Sequence, residues 1–164
     1  MRDVIDRVIE REGGFVNDPD DRGGATKFGI TRATLAWYRQ REVTIREVEQ
    51  LTLDEARAIY DRRYWTGPRI SRIPYAALAE LVFDCAVNHG PRQAIRWLQA
   101  ALGGVAVDGI IGAETLAALD RADLEAVRRD VLRRRIIFFG KLISSNPAQG
   151  KFAHGWLKRV AEFV

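Results

Sequence analysis

The residues of this chain that could do chemistry gather near its start: Glu12, followed six to nine positions later by Asp18, Asp20 and Asp21, and then by Thr26. A pair of carboxyls held in unlike surroundings is what acid-assisted cleavage of a glycosidic bond requires. One is protonated on the leaving oxygen and the other ionised across the sugar. Counted from Val4, Val8 falls at about 40°, Glu12 at about 80° and Ile5 at about 100°, so Glu12 shares the apolar stripe of an N-terminal helix while Glu10 does not. Gly13-Gly14 stops that helix one residue later. A carboxyl at a partly desolvated helix edge is favoured in its protonated form, as a general acid needs near neutral pH. The aspartates stand in the polar stretch Asn17 to Gly24, where carboxylates stay ionised, and the Thr26 hydroxyl is suited to holding a water. Each feature also has a plainer reading. Glu12 can salt-bridge to an arginine at a helix end, and Asn17-Asp18-Pro19-Asp20 can be turn chemistry or a calcium loop, although EF-hand spacing is absent.

The elements that must position these groups are mostly helical. After the first helix, Ala25 to Ile30 supplies a short hairpin strand. Thr31 caps a helix through Leu35 and Tyr38. Thr44-Ile45-Arg46-Glu47 and Thr52-Leu53-Asp54-Glu55 both match the capping-box pattern and open a short helix and a longer one. The longer one carries Ile59, Tyr60, Tyr64 and Trp65 and ends at Gly67-Pro68. A further helix from Pro74 runs to Asn88-His89-Gly90, Pro91 starts the next, and Gly103-Gly104 breaks it. Asp123 caps a long helix to about Ile143, and a last amphipathic helix follows Asn146-Pro147. The expected fold class is mainly α, with a small β-hairpin element and a C-terminal helical subdomain. By motif content, residues 1–72 form one region and residues 73–164 another, with no flexible linker between them.

Composition narrows the partners. The chain has 164 residues, 47% hydrophobic and 29% charged, with 26 Lys and Arg against 22 Asp and Glu for a net charge of +4. That excess favours an anionic partner: nucleic acid, a membrane surface or a bacterial wall polymer. The densest basic run, Arg128, Arg129, Arg133, Arg134 and Arg135, reads as a solvated helix face. Cys85 is the single cysteine, so no intrachain disulfide forms, and its apolar neighbours make it a buried small hydrophobe rather than a nucleophile. His89 and His154 give no metal-ligand pattern, and no metal or organic cofactor is called for. The N-terminal residues lack the apolar core of a secretory signal, and the longest strongly apolar stretch, Ile136 to Phe139, is too short to span a bilayer. The expectation is synthesis in the cytoplasm without a cleavable signal peptide, action in the periplasm or cell wall, and no stable membrane insertion.

Two contiguous segments, Glu12-Gly13-Gly14-Phe15-Val16-Asn17-Asp18-Pro19-Asp20-Asp21 and Arg22-Gly23-Gly24-Ala25-Thr26-Lys27-Phe28-Gly29-Ile30-Thr31, resemble the signature of glycoside hydrolase family 108. That resemblance implies a lysozyme-like N-acetylmuramidase, often of phage or prophage origin and paired with a holin for export. It carries the catalytic acid onto Glu12. The wider phage-type lysozymes place an Asp nine residues after the acid and then a Thr. Asp21 meets that spacing, Asp18 stays close enough to compete, and Thr26 is one residue short. Lys27-Phe28 departs from the family's residues at those positions. Tyr64 and Trp65 would offer aromatic faces to a sugar, with core packing as their plain alternative; for Tyr60 core packing is the better reading. Phe83 to Gly90 resembles the family's second groove segment, in which Asn88 either hydrogen-bonds the substrate or caps its helix. Val107-Asp108-Gly109-Ile110-Ile111-Gly112-Ala113-Glu114-Thr115-Leu116 resembles the turn of a predicted peptidoglycan-binding domain, and it equally suits a purely structural turn.

The resemblance implies hydrolysis of the β-1,4 bond between N-acetylmuramic acid and N-acetylglucosamine in bacterial peptidoglycan. The competing readings are a lytic transglycosylase, a chitinase- or chitosanase-like glycosidase, and a non-catalytic wall-binding module. Nucleic-acid binding has only the Arg128 to Arg135 run in its favour, with no reading motif beside it.

Overall fold

The computed structural model describes residues 2–16 and 24–164 and divides the chain into two compact units, Met1–Gly67 and Pro68–Val164. Helices dominate both, with one small antiparallel sheet in the first.

In the first unit, α1 (Arg2–Glu12) buries Ile5, Val8 and Ile9. It packs against α4 (Leu53–Tyr60), where Arg57 grips Asp6 at 2.7 and 3.1 Å and Asp54 at 2.8 Å. The hairpin β1 (Thr26–Lys27) and β2 (Ile30–Thr31) pairs Thr26 with Thr31 and Lys27 with Ile30. Its two turn residues, Phe28 and Gly29, both have positive φ (54° and 71°), the left-handed pair that suits a tight hairpin's twist. Threonine hydroxyls then cap three helices in succession. Thr31 accepts the Thr34 N–H of α2 (Arg32–Arg39), and Thr44 forms a full capping box with Glu47 of α3 (Ile45–Glu49). Thr52 accepts the Glu55 N–H of α4, but the Glu55 carboxylate is bidentate to Arg39 at 2.8 Å. Ile30, Leu35, Val48, Leu51, Ala56 and Ile59 make the core beneath these caps.

The single helix expected from Leu53 to Trp65 changes pitch: α4 ends at Tyr60, and Asp61–Thr66 forms a wide π-helical turn. Thr66 donates its hydroxyl five residues back to the Asp61 carbonyl at 3.1 Å. A side chain at Gly67 would collide with the Arg62 carbonyl, so a residue without Cβ is needed where that wide turn closes.

The second unit begins with a 3-10 turn, Ile70–Arg72, and centres on α5 (Ala76–His89), which is buried nearly all round through Leu78, Leu81, Val82, Phe83, Cys85 and Ala86. Around it pack α6 (Pro91–Leu102) and α8 (Leu124–Ser145), with α7 (Ala113–Leu119) beside α6. Pro91 opens α6, and Asp123 caps α8 through the N–H groups of Glu125 and Ala126. After a 3-10 segment at Pro147–Phe152, α9 (Ala153–Ala161) returns onto α8. Burying an aliphatic or aromatic side chain as completely as Leu81 or Phe83 contributes roughly 1.5–3 kcal/mol.

The basic run of α8 is only in part a solvated face: Arg129 and Arg133 are exposed, Arg128 and Arg134 are half-buried, and Arg135 turns inward. Arg135 is 1% exposed and pairs with Asp84 of α5 at 2.7 Å, and Arg159 of α9 reaches the other Asp84 oxygen at 2.9 Å. Arg128 is taken up by Glu125, and Arg133 and Arg134 by Asp130. Asp84 interrupts an otherwise apolar stretch, and burying a carboxylate there is costly unless cations are buried beside it. Cys85 next to it is buried, and that burial pushes its thiol up to about 12. The Val107 to Leu116 turn is organised by Gln99, itself buried. Its amide donates to Asp108 Oδ1 at 2.8 Å and to the Ile110 carbonyl at 3.0 Å, while its oxygen accepts the Gly109 N–H at 2.8 Å. The structural reading of that motif therefore holds for Asp108 and for Thr115, which also contacts Gln99.

Candidate active site

Glu12 ends α1, where Gly13 takes a positive φ of 79° and turns the chain. The Gly13 carbonyl accepts the Phe28 N–H at 3.2 Å, which ties the helix end to the tip of the hairpin. Val16 and Thr26 exchange both backbone hydrogen bonds at 2.8 Å and close the chain on either side of residues 17–23. The end of α1 is thus fixed against β1 and the hairpin turn by backbone groups.

At the tip, Gly29 leaves a space that two side chains use. A Cβ there would stand 2.7 Å from the Tyr60 hydroxyl and 3.0 Å from both Cγ and Oε2 of Glu12. The Tyr60 ring is 2% exposed, and its hydroxyl donates to the Phe28 carbonyl at 3.0 Å. Tyr60 therefore packs in the core, as its type and position suggest, and its polar end also supports the turn over which the Glu12 carboxyl lies. Its position one helical turn before Tyr64 is the sequence signal for that second task, since residues four apart share a helix face.

The Glu12 side chain is exposed, which corrects the desolvated edge expected for it. Ile9 is the last buried residue of the stripe, and α1 ends at Glu12, so no further turn covers the carboxyl. Asp18 and Asp21 lie outside the described residues. Thr26 is half-buried on β1, with its backbone engaged by Val16 and its hydroxyl hydrogen-bonded to no described residue. Tyr64 and Trp65 are half-buried in the π-helical turn, the Tyr64 ring 5.5 Å from that of Tyr60. Lys27 donates to the Glu49 carbonyl at 2.6 Å, so the Lys27-Phe28 departure serves to fasten the hairpin to α3 and to turn it.

Asn88 belongs to the second unit. Its amide donates to the Asp84 carbonyl at 2.6 Å, one turn back, and α5 runs on to His89, so Gly90 rather than Asn88 is the cap. Beside it an open pocket of about 460 Å³ is lined by Asn88, His89, Gln93, Phe138, Leu142 and Trp156 among others. His89 packs edge-on to Trp97 and Phe138. Its burial, helped by the charge of Arg135, pushes its pKa down to about 4, so the ring is neutral at physiological pH. Among the described residues no His, Cys, Asp or Glu cluster suits a metal ion.

A carboxyl at a helix end, facing solvent over a small hairpin in a mainly helical chain, belongs to a lysozyme-like fold. SagA of Brucella abortus has a similar structure, with a TM-score of 0.83 and 33% identity over 99% of this chain and 90% of that one. The glycosyl hydrolase 108 family matches residues 5–90, and a predicted peptidoglycan domain matches residues 93–161. This chain belongs to the glycosyl hydrolase 108 family and is a peptidoglycan hydrolase of the lysozyme type, acting at the cell wall. No curated protein matches it. No helix of the described residues is long and apolar enough to cross a membrane.

Proposed function

We propose that the enzyme is an N-acetylmuramidase that cleaves the β-1,4 bond from N-acetylmuramic acid to N-acetylglucosamine, with Glu12 as general acid. The observation that carries this reading is the setting of the Glu12 carboxyl. It is exposed to a polymer yet held beside the Gly29 turn and the Tyr60 hydroxyl, on a backbone tied at Gly13 and Val16. Glu12 donates its proton to the glycosidic oxygen, and the bond from that oxygen to the muramic C1 breaks. The cationic C1 is stabilised by Asp21, or by Asp18 in its place; water held by Thr26 adds to it, and the proton that water loses passes to a carboxylate of the site, which returns Glu12 to its acid form. The products are a free 4-hydroxyl on glucosamine and a reducing muramic end.

Tyr64, whose ring neighbours that of Tyr60, and Trp65 serve in this reading as surfaces for the apolar faces of sugar rings. For Asn88, whose amide nitrogen is bonded within its own helix, the amide oxygen is the group left to meet an N-acetyl N–H. The chemistry calls for no cofactor. A holin is the partner proposed for export.

The test is lysis of purified peptidoglycan by the wild type and by Glu12→Gln, with mass analysis of the fragments. Loss of the acid is expected to lower the rate by about 10²- to 10⁴-fold. Reducing muramic ends support hydrolysis, whereas anhydro ends would make the enzyme a lytic transglycosylase. Near-normal lysis by Glu12→Gln would remove Glu12 from the mechanism.

A further inference from the structure

The π-helical turn Asp61–Thr66 brings two consecutive arginines to one aromatic ring. The guanidinium carbon of Arg62 stands 5.5 Å from the Trp37 ring centroid and that of Arg63 stands 5.1 Å from it. Arg62 also lies 5.9 Å from the Tyr38 ring, and Arg63 lies 5.7 Å from the Tyr64 ring. Trp37 is 40% exposed and Arg62 is exposed, so this cluster faces solvent.

These two arginines are held differently from others in the same unit. Arg39, Arg41 and Arg57 end on carboxylates at 2.5–2.9 Å. No described carboxylate pairs with Arg62 or Arg63. A guanidinium lodged against an aromatic face keeps its in-plane N–H donors available, and those donors match a carboxylate in a two-pronged fit. The cluster is also continuous with the acid. Arg63 meets Tyr64, Tyr64 meets Tyr60, and the Tyr60 hydroxyl borders the same space over Gly29 as the Glu12 carboxyl.

We propose that Trp37, Arg62 and Arg63 form a subsite for the carboxylates carried on the 3-lactyl arm of muramic residues, and that this subsite makes the enzyme favour wall glycan over neutral aminosugar polymers. The proposal rests on the reading of Glu12 as the general acid. The lactyl arm is what distinguishes a peptidoglycan strand from chitin. It ends in its own carboxylate when stripped of peptide and bears the peptide's carboxylates when intact. Two cations supply the charge for either, and the indole supplies an apolar wall for the sugar or for an alanine methyl.

The experiment measures binding by calorimetry in the Glu12→Gln protein, with and without Arg62→Gln/Arg63→Gln. The ligands are the disaccharide peptide, the same disaccharide stripped of peptide, and chitotetraose. The double substitution is expected to weaken binding of the acidic ligands about tenfold and to leave chitotetraose unchanged. Arg62→Lys/Arg63→Lys is expected to restore part of the loss, with melting temperatures alike throughout. A loss confined to the peptide-bearing ligand assigns the contact to peptide carboxylates, and a loss for the stripped sugar assigns it to the lactyl carboxylate. Acidic-ligand binding that is unchanged, unmeasurable in both proteins, or lost equally with chitotetraose overturns the subsite. Failure of the Glu12 reading is separately visible, as lysis by Glu12→Gln.

Discussion

In the first unit the ion pairs that join helices stay at the surface, and in the second they enter the core. Arg57 and Asp6 keep 31% and 29% of their side chains exposed, whereas Arg135 and Asp84 keep 1% and 2%. Exposed pairs contribute little to stability because water solvates each partner almost as well alone. A buried pair costs desolvation to form and costs far more to break, since its survivor is left charged in a medium that cannot solvate it. The difference suits what each unit carries. The first holds the exposed Glu12 side chain by helix end, hairpin and tyrosine, as the proposed role of that carboxyl towards a polymer requires. The second surrounds an almost wholly buried helix, and Asp84 there reaches α8 and α9 at once.

The largest test of this contrast is Asp84→Asn, which removes the carboxylate shared by Arg135 and Arg159. It is expected to cost about 3–5 kcal/mol, read from denaturant unfolding. A loss under 1 kcal/mol would mean that the buried cluster is as dispensable as a surface pair. Next comes Gly29→Ala, which puts a Cβ on a residue with φ of 71° and against Tyr60 and Glu12. The backbone strain alone is worth roughly 1–2 kcal/mol, and lysis is expected to fall further than stability because the proposed acid is displaced. Unchanged lysis would remove the hairpin tip from the site.

His89 sharpens the comparison through pH. Its folded value of about 4 lies below the ordinary value near 6.5, so its contribution is complete above about 6.5. As pH falls from there towards 4, the unfolded chain takes up a proton that the folded chain refuses, and stability declines. His89→Phe is expected to flatten that part of the thermal stability profile, by on the order of 1–2 kcal/mol after allowance for the ring's partial exposure. An identical slope in both proteins would assign the acid sensitivity elsewhere. The smallest effect is expected for Arg57→Gln, within about 1 kcal/mol. A loss comparable to that of Asp84→Asn would erase the distinction between the units.

Much of the local structure was legible because it depends on neighbours in the chain. The caps at Thr31, Thr44, Thr52 and Asp123, the start at Pro91 and the stop at Gly67-Pro68 all follow from backbone groups that a nearby side chain must satisfy or cannot offer. The change of pitch after Tyr60 was not legible, because Tyr64 and Trp65 continue a helical pattern and the wide turn depends on Thr66 and Gly67 closing it. The burial of Arg135 left a trace: Val131 and Phe139, four residues to either side, are core residues. Read as part of a basic run, it passed for a surface charge, since its partner Asp84 is 51 positions away.

By itself the sequence determined most of the helices, their caps and the place of Glu12 at the end of the first helix, because those follow from contacts within a few residues and from a contiguous motif. Tertiary structure alone decided that Glu12 would face solvent beside Gly29 and Tyr60, that two arginines would settle on Trp37, and that Asp84 would draw Arg135 and Arg159 inward. Each of these depends on which faces remain covered once helices pack, and that is settled by residues far apart in the chain.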